Sequence, residues 1–162
     1  MTDPRVTRTN PILGVLPFVG LILFVVFTTP IVFGDHTGNW GHQVLANGVQ
    51  YMIGWAALGA GITHLFFGPG IARSIGWTPS PFQREVAFAN LAFGVVGLLA
   101  ANHSTDFWLA VIVSSGIYRV GCGYGHIREI IQQRNFVINN TVILFLNFVI
   151  PAFLTIGYFA WI

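Results

Sequence analysis

Residues 117–129, reading IYRVGCGYGHIRE, hold the densest set of side chains able to do chemistry. Tyr118, Cys122 and His126 recur every four residues, so a helix stacks them on one face. Arg119 lies beside them, inside a membrane-length apolar segment. On insertion scales an arginine there costs about 2.5–3.5 kcal/mol, so it needs a partner, a ligand or a water-filled cavity. Gly121, Gly123 and Gly125 let another backbone or a ligand approach closely.

Charge and hydropathy say what must position this stretch. Of 162 residues, 54% are hydrophobic and 7% charged. A soluble domain carries about 25% charged residues, so the composition predicts an integral membrane protein with little room for a soluble domain. The seven positive residues are all arginine and, Arg119 apart, lie scattered at the N-terminus and around short loops, which argues against a nucleic-acid partner. The lone Cys122 rules out an intrachain disulfide, a CxxC metal site and a CxxCH haem attachment.

The pattern predicts an all-α single domain, residues 1–162, built as a bundle of five transmembrane helices over about 12–33, 49–67, 82–101, 107–127 and 136–161. The first apolar run is too long for a secretory signal core and lacks a clean cleavage site. Residues 34–48 read as a polar loop, and Gly68-Pro69-Gly70 as the stop of the second helix. Residues 102–106 read as a tight hairpin, with Ser104, Thr105 and Asp106 as natural caps. Pro17 and Pro151 are expected bends, and Pro30 lies near the far end of the first helix. Gly121 and Gly125, with Ala57 and Gly61, offer flat strips for close helix packing, within the bundle or between protomers.

Five crossings sort the charges. Arg5 and Arg8, Arg73 and Arg84, and Arg128 and Arg134 all fall on one side, while the two intervening loops have no arginine. The positive-inside rule makes that side cytoplasmic, with the N-terminus inside and the C-terminus outside.

The segments SPFQREVAFANLAFGVVGLLA, FWLAVIVSSGIY, GYGHIREI and RNFVINN, within residues 80–140, resemble a family of small bacterial inner-membrane proteins of unknown function. In size and helix count the chain is also similar to the DoxX-type small membrane proteins. These resemblances imply a bacterial inner membrane and a compact helical bundle, and supply no activity.

The topology gathers polar groups of four helices in one half of the membrane: His64, Gln83, Glu85, Asn90, Tyr118, Arg119, His126, Asn139 and Asn140. Each is within roughly 15 Å of the cytoplasmic edge at 1.5 Å per helical residue. They read as a cytoplasm-facing pocket for a polar or anionic group, such as a lipid or quinone headgroup. They also suit interhelical packing, with an Arg119–Glu85 ion pair and asparagine hydrogen bonds as glue. An outer set, Asp35, His36, His42, His103 and Asp106, has ligand types for a divalent metal but matches no metal motif. His64 and His126 are candidate axial haem ligands. No phosphate loop, nucleophile elbow or converging triad is present.

The leading expectation is therefore a non-catalytic structural or accessory subunit that acts in the bilayer, alone, as a homo-oligomer or in a larger membrane complex. A small redox enzyme or redox-complex subunit using quinone or haem is the alternative. A solute transporter or channel is the third.

Overall fold

A computed structural model describes residues 15–34 and 38–162. The described residues form helices and no strands. A 3-10 turn, Leu16–Phe18, leads into α1, Val19–Phe33. The second rod, α2, runs from Trp40 to Ser74. Then come α3, Gln83–Ala100, α4, Thr105–Gln133, and α5, Ile138–Trp161. The expected start of the first helix at residue 12, and Arg5 and Arg8, lie outside the described residues.

Three of these helices, α2, α4 and α5, are long and apolar enough to cross a membrane. α1 has 15 described helical residues, about 22 Å against a hydrocarbon core of about 30 Å. α3 has 18 residues, and its first turn carries Gln83, Arg84 and Glu85. Exposure is unlike that of a soluble protein. Ile117 and Phe159 are 71% and 74% exposed, whereas Asn140 is 0% exposed. Apolar side chains facing outward suit acyl chains, and polar groups satisfied inside suit a membrane interior.

α2 departs from expectation at both ends. Residues 40–47, read from sequence as loop, are already helical, and a π-helical segment, Gly48–Trp55, follows without a break. The polar run was misleading because Gly41 and Gly48 are packing positions: a side chain on either would strike Trp161 or Leu154 of α5. Gly68-Pro69-Gly70 kinks the helix at Phe67 (φ −127°, ψ 20°) without ending it. The helix closes later, at Gly76 (φ +77°), where Gly76 N–H donates to the Arg73 carbonyl and Trp77 N–H to the Ala72 carbonyl. This is a Schellman closure, and it needs the glycine's left-handed backbone.

Helices α2 and α3 lie backbone against backbone. A Cβ on Gly97 would sit 2.6 Å from the Gly54 nitrogen, one on Gly94 2.6 Å from the Leu58 nitrogen, and one on Gly61 2.9 Å from the Leu91 nitrogen. Gly61 thus packs closely as expected. Gly121 does not: it is exposed, and none of the described residues lies within 4 Å of its missing Cβ. The Gly125 position would only touch Trp77, at 3.4 Å.

α4 and α5 form the second close pair. The two pairs meet around a core of Leu45, Val49, Ile53, Trp108, Ile112 and Leu154, where α2 and α4 begin and α3 and α5 finish. There the Trp108 indole donates to the Ala100 carbonyl at 2.7 Å. Below this core the Ala56–Ser74 part of α2 has little direct contact with α4 or α5. The pairs diverge and leave a space between them.

Candidate functional site

That space is a cavity of about 540 Å³. His64, Gln83, Asn90, Tyr118, Arg119 and His126 all line it. They come from α2, α3 and α4, so these six of the residues expected to gather share one cavity wall. Cys122 completes the expected stripe with Tyr118 and His126. Gly121 and Gly125 also line the cavity, so their missing side chains contribute to its volume.

Three expected members lie elsewhere. Glu85 is exposed in the first turn of α3, and Asn139 is half-buried away from the lining. Asn140 is fully buried behind His126 and orients it.

Arg119 sets the electrostatics. Its guanidinium donates to the Met52 carbonyl at 2.7 Å, within the π-helical segment of α2. No ion pair joins it to Glu85, or to any other acid among the described residues. The expected Arg119–Glu85 pair is thus absent, because Glu85 points to the surface of α3 while Arg119 reaches across to α2. A guanidinium has five N–H donors. No buried side-chain nitrogen or oxygen among the described residues lacks a partner, so the donors not spent on Met52 keep accessible surface, in a side chain that lines the cavity.

Other polar groups are held in pairs across helices. His64 Nδ1 and Gln83 Oε1 are 2.6 Å apart, and Gly68 leaves room for the Gln83 stem. Asn90 Nδ2 donates to the Tyr118 hydroxyl at 2.7 Å and to the Val86 carbonyl at 2.8 Å. Such bonds hold side chains at fixed positions in the wall.

The far end of the cavity is tied by a second network. Asn140 Oδ1 accepts from Trp77 Nε1 at 2.9 Å and from His126 Nδ1 at 2.7 Å. Asn140 Nδ2 donates to the Asn135 carbonyl at 3.1 Å, and Asn135 Nδ2 to the Ile75 carbonyl at 2.8 Å. These bonds join the α2–α3 connection to the α4–α5 turn. The apolar core closes the cavity at one end and this latch crosses the other.

Sequence reasoning missed Asn147. It is buried on α5 and lines the cavity with no hydrogen bond among the described residues. An asparagine in an apolar span is a visible signal, but its depth there resembles that of ordinary helix glue. Trp77 and the Met52 carbonyl were missed too, the first as a loop residue and the second as backbone.

The outer metal set is not assembled among the described residues, where no three His, Cys, Asp or Glu side chains could hold a metal ion. His42 packs on Trp108, and His103 donates from Nδ1 to the Leu99 carbonyl at 2.7 Å. Asp106 is exposed in the first turn of α4, and Ser104 caps by backbone alone. Asp35 and His36 lie outside the described residues.

Helices that can cross a membrane, outward-facing apolar side chains and a mostly apolar interior cavity with a few polar side chains in its wall define a helical membrane protein. The chain belongs to a family of unknown function, DUF6790, whose match covers residues 10–161. No curated protein and no solved structure matches it.

Proposed function

We propose that this is a multi-pass protein of the bacterial inner membrane, non-catalytic, whose cavity holds the polar headgroup of a lipid or quinone. All five helices cross the bilayer, with the cavity in the cytoplasmic half, the N-terminus inside and the C-terminus outside. The protein serves as a structural or accessory subunit, as a homo-oligomer or within a larger membrane complex. The carrying observation is Arg119: a cation in an apolar span, with one backbone bond, no acidic partner among the described residues, and donors open to the cavity. An interior arginine used only as glue would spend its donors on the protein. Such groups in membranes mark sites by default.

Native mass spectrometry of the detergent-purified full chain tests the reading. The protein should carry a co-purified amphiphile, and Arg119→Leu should lose it. A bare wild-type protein, or equal retention by the variant, overturns the pocket.

A redox subunit is the second reading, because His64 and His126 line the same cavity. With Nδ1 of His126 held by Asn140, Nε2 is the nitrogen left for a ligand. A Soret band in the purified protein would select it, and colourless protein would remove haem.

A further inference from the structure

Arg119 and His126 are two helical turns apart on α4, roughly 10 Å along the axis. Asn147 lies between their levels, since its Cβ is 3.3 Å from where a side chain on Gly123 would begin. All three line the cavity.

Asn140 fixes which end accepts and which donates. The Trp77 indole N–H only donates and the Asn135 carbonyl only accepts, so Oδ1 of Asn140 must face Trp77 and His126. Nδ1 of His126 therefore carries the proton. In the uncharged ring, Nε2 is then an acceptor without a partner among the described residues, and it keeps accessible surface in a side chain that lines the cavity. The wall thus reads donors and positive charge at Arg119, a two-way amide at Asn147, and an acceptor at His126.

Charge and access narrow the occupant. A neutral headgroup leaves the Arg119 charge unmatched, whereas a phosphate accepts two parallel bonds from a guanidinium. Phe82 and Ile117 line the cavity and are 59% and 71% exposed, so its rim is apolar and faces outward. A ligand carrying acyl chains fits such a rim.

We infer that the occupant is a phosphodiester lipid whose headgroup ends in a hydroxyl or ammonium, with the phosphate on Arg119 and the terminal donor on His126 Nε2. This rests on the proposed headgroup pocket and narrows it to one lipid chemistry. A choline headgroup, with no N–H or O–H, satisfies the arginine and leaves the histidine unmatched.

The test titrates delipidated full-length protein with phosphatidylglycerol, phosphatidylethanolamine and phosphatidylcholine of identical acyl chains, read by native mass spectrometry. The first two should bind up to about tenfold tighter than the third, the worth of one hydrogen bond. Asn147→Leu, which breaks no protein bond, should weaken the first two several-fold. Arg119→Gln should weaken all three at least tenfold. His126→Phe should erase the preference for a donor headgroup, but it also cuts the bond to Asn140, so the wild-type comparison carries the test alone. Equal binding of all three lipids overturns the inference, as does inorganic phosphate binding as tightly as the lipids. If a quinone binds and no phospholipid does, the headgroup pocket stands and the phosphodiester falls. If nothing binds, both fall.

Discussion

Trp77 and Asn140, 63 residues apart, share a 2.9 Å hydrogen bond from indole nitrogen to amide oxygen. The bond exists because Gly76 ends α2 with a left-handed residue and so turns Trp77 toward α5. One glycine backbone angle thus reaches the protonation pattern of His126 through Asn140.

Removing only the donor should cost little. Trp77→Phe keeps a ring and loses one bond, and is expected to destabilise by about 0.5–1.5 kcal/mol. Asn140→Leu strands the Trp77 N–H, the His126 Nδ1–H and the Asn135 carbonyl together, and should cost at least twice as much. Unfolding midpoints in mild detergent decide this. Equal losses from the two variants would mean that the latch does not act as a network.

The site was partly legible and the reasons are local. Tyr118, Cys122 and His126 followed from the four-residue period alone, and Arg119 from its misfit with an apolar segment. His64, Gln83 and Asn90 followed from placing helix ends at one membrane face. Asn147 was not legible, because only the level of Gly123 on the facing helix assigns it to the cavity. The Met52 carbonyl has no side-chain signature at all. In the fold, residues 40–48 look like loop because Gly41 and Gly48 serve contacts with Trp161 and Leu154, which no local pattern encodes. Gly68-Pro69-Gly70 looks like a stop, yet a long helix held by its neighbours absorbs the kink.

Glycine substitutions separate packing from open space. Gly97→Ala places a methyl against the Gly54 backbone, which cannot rotate away, and should cost about 1–3 kcal/mol despite alanine's better helix propensity. Gly121→Ala meets nothing and should gain up to about 1 kcal/mol. Thermal melting of the two proteins gives opposite signs if the α2–α3 seam is as close as described. A neutral Gly97→Ala would refute it.

Topology has its own measurement. With all five helices crossing, reporter fusions after His103 and after Ile162 should both report the outside. A cytoplasmic signal at Ile162 would return one helix to the membrane surface. It would also separate the cavity from the arginine-rich side.

The last prediction concerns Arg119 and Glu85, which a sequence reader would pair. Arg119 bonds to the Met52 carbonyl, and Glu85 is exposed with no ion pair to it. In a buried ion pair, removing one partner strands the other, and removing both recovers much of the loss. Here neither condition holds. Glu85→Leu alone should change stability by less than about 0.5 kcal/mol, as surface substitutions do. Arg119→Leu loses one hydrogen bond but relieves a cation held in an apolar span, so the ligand-free variant should be no less stable than the parent. The double variant should equal the sum of the singles within about 0.3–0.5 kcal/mol, the spread seen for independent sites. A double-mutant cycle on delipidated protein measures this directly. A coupling above about 1 kcal/mol would restore the ion pair and return Arg119 to structural glue.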